Sequence, residues 1–291
     1  MSDDAAPGPL AQTSAPQVPG RPAREDAGTF GSRRPVTVKL ILEYDGTDFF
    51  GWQLQPRHRS VEGELRAALR QLTGESVAVH GAGRTDAGAH ALGQVASFDY
   101  AGRLSPDRIR AALNARLPAD VSVVSAELAR RGFHARFSAL GRHYRYRWLD
   151  RQARPALLRH HCWHVRRRLD DGAMAEAVLA LAGTHDWTAF CSAAEPVRKR
   201  TRPVWRAELV RAGDLVDLLI SAEGFLRGQI RGVAGALAVI GAGRQDPGWL
   251  AALLAGRDRQ LAPPAAPARG LTLMQVSYAE AEMGPQRHQF D

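Results

Sequence analysis

The sequence predicts an α+β fold of two ferredoxin-like α/β subdomains, whose antiparallel sheets form a central cleft. Two observations support this prediction. The first half of the chain shows the order β-α-β-β-α-β, which is typical of a sheet with helices on one face. At 291 residues, the chain is also long enough for two domains or one large one. We expect residues 1–34 to be a disordered extension, 35–134 and 135–281 the two subdomains, and 282–291 a tail.

The first half is divided into elements by hydrophobic periodicity and by capping residues. Period-two alternation of β-branched residues predicts strands, and apolar residues spaced by three and four predict helices. Ser60 and Ser105 are candidate N-caps, and Pro106 suits a first helical position. The predicted strands are 36–44, 77–79, 95–100 and 121–128, and the predicted helices run from Ser60 through Leu72 and from Ser105 through Leu117.

The second half begins after the crossing segment 133–139 and has its own strands and helices. The predicted strands are 142–148, 204–210, 215–220 and 270–278, and the predicted helices run through Met174 to Leu181 and through Val233 to Ile240. The first of these strands places Tyr144, Tyr146 and Trp148 on one face and arginines on the other. Such a strand could stack the bases of a single-stranded nucleic acid, or it could bury its aromatic face in the core.

Charge and composition limit the partners and the compartment. A formal net charge of +9 indicates a polyanionic partner without naming it. Only two cysteines are present, so a disulfide framework is excluded and a reducing compartment is expected. No run of about 18 apolar residues is present, and the N-terminus lacks a secretory h-region. We therefore expect a cytoplasmic protein with no membrane association.

Residues 81–90 carry the densest chemistry in the chain, in a loop between two predicted strands. Three glycines permit sharp turns and close approach of a ligand, and Arg84, Thr85 and Asp86 supply a cation, a hydroxyl and a carboxylate. A surface turn in which Asp86 bonds its own backbone is the alternative. Spacing alone does not decide between them.

The sequence G-R-T-D-A-G-x-H of this loop resembles the active-site motif of the tRNA pseudouridine synthase A family. The essential catalytic residue of that family is the aspartate of R-T-D, and the resemblance places it on Asp86. Matching segments extend from Val36 to Tyr278, including Y-D-G-T-x-F-x-G-W-Q at 44–53. By chemistry alone, Phe49, Phe50 and Trp52 in that segment are more typical of the core than of base stacking.

Two further motifs follow in the family's order. R-x-Y-R-Y at 142–146 resembles the second motif, whose first tyrosine lies against the target base, and this implies that role for Tyr144. The helix after Phe225 resembles the third motif, whose arginine pairs with the catalytic aspartate, and this implies Arg231. Gly228, Gln229 and Gly232 depart from the usual third motif, which puts its local RNA contacts in doubt.

The resemblance implies isomerisation of uridine to pseudouridine at nucleotides 38 to 40 of the tRNA anticodon stem-loop. The bond from C1′ to N1 breaks, the uracil rotates, and C1′ rejoins at C5. No redox change or hydrolysis occurs, so no cofactor or metal is expected. Asp86 could act as nucleophile or as stabiliser of positive charge at C1′, and Tyr144 or water could accept the C5 proton. Family resemblance also implies a homodimer.

The remaining site predictions concern RNA contacts and metals. The predicted substrate-binding residues are Arg84, Thr85, His90, Tyr144 and Arg227, and the predicted contacts to the RNA backbone are Arg198, Lys199, Arg200 and Arg202. His161 and His164 lack the pairing of a closed tetrahedral site, so we predict no metal. Cys191 is predicted to be a core residue.

Two other function classes compete with this interpretation. An RNA-binding module without chemistry explains the basic charge, but it leaves unexplained a carboxylate within a basic loop. A phosphate-binding loop is the second, but G-x-G-R-T-D lacks the Lys-Ser/Thr ending of a P-loop and opens no clear helix.

Overall fold

The computed structural model describes residues 35–192 and 198–279, which form a mixed α/β structure on one large, mostly antiparallel sheet. The predicted extension, the end of the second predicted subdomain and the predicted tail lie outside these residues. The strands are β1 Val36–Tyr44, β2 His80–Gly81, β3 His90–Tyr100, β4 Val121–Leu128, β5 Gly141–Leu149, β6 Trp163–His164, β7 Gly183–Asp186, β8 Thr201–Ala212, β9 Leu215–Ala222 and β10 Leu271–Ser277. The helices are α1 Val61–Thr73, α2 Pro106–Asn114, α3 Asp171–Val178, α4 Gln229–Gly241 and α5 Gly248–Gly256.

The strand order across the sheet is β4-β1-β3-β10-β5-β9-β8-β7, with β2 beside β3 and β6 beside β5. Pairing is antiparallel except for β10 with β3 and β6 with β5. The last strand of the chain therefore lies in the middle, between a strand from each half. In its register Leu273 is the partner of Ala91 on β3 and of Tyr144 on β5.

Local signals account for most element boundaries. β1 and β4 have the predicted limits, and α1 begins where Ser60 accepts a hydrogen bond from the Gly63 N–H. Several limits differ from the prediction, and β6, β7 and α5 were not predicted. The strand predicted at 77–79 is β2 at His80–Gly81, and the helix predicted to reach Leu181 is α-helical only to Val178, with a 3₁₀ turn at Leu179–Leu181. α2 ends at Asn114 because its side chain bonds both the N–H and the C=O of Val123 on β4, and β3 begins at His90 because pairing with β10 extends it. The loop before β3 is correspondingly shorter.

Candidate active site

The loop 82–89 is held by main-chain bonds to residues 46–52. The Trp52 N–H donates to the Thr85 carbonyl at 3.2 Å, and the Gly88 N–H donates to the Phe49 carbonyl at 3.2 Å, so the bonds lie on both sides of Asp86. Gly51 between them has φ of +84°, and a Cβ there would lie 2.4 Å from the Thr85 oxygen. Only glycine fits this approach. The backbone around Asp86 is therefore fixed by its neighbours.

The carboxylate of Asp86 is paired with Arg231 from the first turn of α4. Its Oδ2 lies 2.8 Å from the Arg231 Nη1, and the Arg231 Nε donates to the Ala266 carbonyl at 2.7 Å. The two side chains are 19% and 24% exposed. The pair predicted from motifs 145 residues apart is thus present, shielded from bulk water but open on one side.

A buried polar chain lies beneath the loop. The Thr85 hydroxyl is 2.8 Å from the Tyr44 hydroxyl, and the Gln94 Nε2 donates to the Gly83 carbonyl at 2.8 Å. Burial raises the pKa of Tyr44 to about 12, so this phenol stays neutral. Thr85 therefore supports the loop from inside, although its sequence position suggested substrate contact.

Tyr144 on β5 is buried and lies close enough to Asp86 for the charge of that carboxylate to act on its phenol. Its ring packs edge-on against Phe225 with 5.3 Å between centroids, and its hydroxyl lies 3.6 Å from where a Cβ on Gly83 would stand. Burial raises the pKa of the Tyr144 phenol well above its usual range. At neutral pH this side chain is an uncharged aromatic surface with a hydroxyl donor.

Arg142 is a site residue that the sequence analysis did not single out. Its Nη1 donates to the carbonyls of Ala139 and Glu223, and its Nη2 to those of Ala82 and Arg136. Burial lowers the pKa of this guanidinium, which nonetheless remains charged. It joins three segments around the cleft. Its position as the first residue of R-x-Y-R-Y was the available signal.

His90, predicted to bind substrate, is buried with both ring nitrogens engaged. Its Nδ1 accepts from the Gly46 N–H at 3.0 Å, and its Nε2 donates to the His160 carbonyl at 2.8 Å. This favours a positioning role over substrate contact. Asp45 and His161 lie beside it in an arrangement that could suit a cation. Because the lone pair of Nδ1 already accepts the Gly46 N–H, His90 is a poor ligand there.

The basic residues predicted to contact RNA differ in their exposure to solvent. Arg84 is exposed and has no hydrogen bond or ion pair with the rest of residues 35–192 and 198–279. Arg198, Lys199 and Arg227 are also exposed. Arg202 is half-buried, and its Nη1 donates to the carbonyls of Lys199 and Thr201. Arg200 is half-buried as well. Arg84, Arg198 and Lys199 are thus accessible to a polyanion, whereas Arg202 bonds within its own turn.

The aromatic residues separate into core and surface. Tyr146 and Trp148 are fully buried, so that face of β5 belongs to the core, and its other face carries a bidentate Arg147–Asp217 pair. Cys191 is buried as predicted. Phe49 and Trp52 are buried too, whereas Phe50 is 51% exposed. The core prediction for that segment is wrong for Phe50 alone.

The departures in the third motif have local structural reasons. Gly228 has φ of +75° at the start of α4, and the Gln229 Oε1 accepts from the Leu226 N–H at 2.9 Å. A Cβ on Gly232 would lie 2.7 Å from the Phe190 carbonyl oxygen. A small residue at 232 therefore lets α4 approach the 187–191 turn closely.

A protein-family model described as tRNA pseudouridine synthase matches residues 40–138 and 177–279. The chain belongs to the tRNA pseudouridine synthase family. Asp86 lies in the first matched segment and Arg231 in the second, with Tyr144 between them. The predicted isomerisation of uridine to pseudouridine in tRNA is thereby confirmed, and this synthase is an isomerase with tRNA as its substrate.

Individual relatives agree with the family assignment. A tRNA pseudouridine synthase A of Rhodopseudomonas palustris strain BisB5 is 48% identical over 245 residues, covering 82% of this chain and 98% of the relative. One from strain CGA009 is 47% identical over 85% of this chain and 100% of its own. The Agrobacterium fabrum protein of the same name is 45% identical over 83% and 92%. Within the part of the synthase that the structure describes, no helix is long and apolar enough to cross a membrane.

Proposed function

We propose that this synthase converts uridine to pseudouridine at nucleotides 38 to 40 of the tRNA anticodon stem-loop, with Asp86 as its catalytic carboxylate. The observation that carries the proposal is the shielded Asp86–Arg231 pair beside Tyr144. A carboxylate held at 2.8 Å by one arginine is fixed in place and paired with a positive charge.

The reaction requires one bond to break and one to form at C1′ of the ribose. The C1′–N1 bond breaks, the uracil rotates, C1′ bonds to C5, C5 loses its proton and N1 gains one. An ionised Asp86 serves either as the nucleophile at C1′ or as the group that stabilises positive charge there. Both roles need the same position and charge.

Tyr144 and Arg231 act on the substrate and on Asp86 respectively. The uridine must leave the base stack, which costs a few kcal/mol, and packing against the Tyr144 ring offsets part of that cost. The C5 proton passes to a general base, for which Tyr144 and water are the two candidates; burial raises the pKa of the Tyr144 phenol and so opposes its ionisation.

The two competing functions fit the geometry less well. A module that only bound RNA would gain nothing from a carboxylate in its basic cleft, since the charge repels phosphate. A phosphate-binding loop normally precedes a helix whose N-terminal N–H groups bind the anion. The loop here leads into β3 instead.

The wider assembly follows from the same family resemblance. We propose that Arg84 and Arg227 bind the substrate nucleotide and that Arg198, Lys199, Arg200 and Arg202 bind the tRNA backbone. We also propose that the protein is a cytoplasmic homodimer and that its halves are ferredoxin-like subdomains. The order β4-β1-β3 with a short β2 beside β3 supports that last point for the first half.

The decisive experiment is tritium release from tRNA labelled at C5 of uridine, comparing the native chain with Asp86→Asn. We expect release by the native chain, none by the variant, and similar tRNA affinity for both, since asparagine keeps the shape and removes the charge. Release by Asp86→Asn at the native rate would contradict the assignment of Asp86. Tight binding by both proteins without release from any tRNA would favour the RNA-binding module.

A further inference from the structure

We propose that Phe50 and His58 form a stacking site for an unpaired nucleobase next to the target uridine. Their rings are parallel, with 3.9 Å between centroids and 11° between planes. The proposal rests on the proposed function, because it names where a second base of the same RNA is held. A single exposed phenylalanine is ordinary on protein surfaces. A half-exposed ring held parallel on another ring is a pre-formed surface for a flat ligand.

The segment that carries Phe50 is the one that fixes Asp86. Phe49 and Trp52 make the two main-chain bonds on either side of Asp86, and Gly51 contacts the Asp86 backbone. Consecutive Cα atoms are about 3.8 Å apart, so the Phe50 Cα lies within roughly 10 Å of the Asp86 backbone. At this separation, the nucleotide next to the one bound at Asp86 can contact the Phe50 ring.

The stacking pair is also rigid. The Phe50 N–H donates to the Arg59 carbonyl at 2.8 Å, so the turn that carries His58 folds back onto Phe50. Arg59 anchors this turn through a two-pronged bond to Asp120, at 2.7 and 2.9 Å, and a bond to Glu64. Because this surface is already ordered in the free protein, binding a base costs less conformational entropy than binding to a flexible surface.

The charges around the pair suit RNA. Arg57, adjacent to His58, and Arg84 on the active-site loop are exposed, and within residues 35–192 and 198–279 neither has an ion pair. Asp48 is an exposed carboxylate on the same segment, so phosphate contacts are expected on the Arg57 side. Aromatic faces flanked by arginine are the usual means of holding unpaired bases without reading their sequence.

The test combines variants of Phe50 with altered RNA. Phe50→Ala and Phe50→Leu remove the aromatic ring, Phe50→Tyr keeps it, and Leu157→Ala is the control for loss of an exposed apolar side chain elsewhere. We expect Phe50→Ala and Phe50→Leu to weaken tRNA binding about tenfold or more. Phe50→Tyr and Leu157→Ala should stay within about twofold of the native chain.

Abasic substitution then identifies the stacked base. In a tRNA lacking the base on one side of the target uridine, the native chain should bind about as weakly as Phe50→Ala, and the two losses should not add. Native affinity in Phe50→Leu, or fully additive losses at every neighbouring position, would overturn the stacking site. A changed sedimentation coefficient of Phe50→Ala with unchanged RNA affinity would also overturn it, because the pair would then be a contact between copies. If the native chain binds tRNA but releases no tritium while Phe50→Ala still weakens binding, the proposed function fails and the stacking site stands.

Discussion

Two arginines lie beside the candidate active site, and they differ in the kind of group that they bind. Arg231 meets a carboxylate, since one of its nitrogens lies 2.8 Å from Asp86. Arg142 meets only main-chain carbonyls, four of them, and has no ion pair within the described residues. One arginine therefore pairs with the carboxylate of the candidate catalytic residue, and the other joins the loops around it. Substitutions should separate these roles.

Of the two arginines, Arg231 should have the larger effect on turnover when it is replaced. Arg231→Met leaves Asp86 without its counter-charge, and we expect kcat to fall about 10³-fold, the scale of losing one pre-organised electrostatic group. Arg231→Lys keeps the charge but cannot bind both Asp86 and Ala266, so a smaller loss of about tenfold is expected. Single-turnover tritium release measures both. Equal losses in the two variants would show that shape, not charge, is what Arg231 supplies.

Replacing Arg142 should affect stability more than the charge of the site. Arg142→Ala removes the shared donor to four carbonyls, two of them on the buried residues Ala82 and Ala139, and we expect the free energy of unfolding to fall by about 3 kcal/mol. Turnover should fall as well, because Ala82 and Arg136 lose their common partner. Guanidinium ion, at concentrations well below those that denature the protein, should restore part of the turnover of Arg142→Ala and none of the turnover of Arg231→Met. Absence of this rescue would contradict a positioning role for Arg142.

The same comparison explains which parts of the site could be predicted from the sequence. Arg231 was predictable because a motif names it and its partner is a side chain with known chemistry. The motif R-x-Y-R-Y contains Arg142, but its role was not predictable, since its partners are main-chain carbonyls, which carry no signature in the sequence. The central place of β10 was hidden for a similar reason, because pairing with both β3 and β5 depends on distant segments. By contrast, β1 and α1 were predictable because alternation and the Ser60 cap are local.

Gly232 tests whether the position of Arg231 depends on the backbone of α4. A Cβ at 232 would lie 2.7 Å from the Phe190 oxygen, which is backbone and cannot easily yield. We expect Gly232→Ala to cost about 1–3 kcal/mol of stability and to lower kcat severalfold by shifting Arg231. Gly224→Ala is the matched control, since a Cβ there meets nothing within 4 Å. Denaturant unfolding and tritium release of the two variants provide the comparison.

The smallest effect should come from His90, which holds the loop from the side opposite Arg231 and responds to pH. Burial and the charge of His161 lower the pKa of His90 below its usual 6.5, although Asp45 opposes the shift. Below pH 6.5 the unfolded chain therefore binds a proton that the folded chain does not, so stability should fall as the pH is lowered through this range. His90→Asn places a non-titrating amide oxygen near the Gly46 N–H, and the difference in melting temperature between native and variant should narrow as the pH falls from 7 to 5. The same melting difference at both pH values would show that His90 contributes no proton linkage, and its hydrogen bonds to Gly46 and His160 would then hold the loop independently of pH.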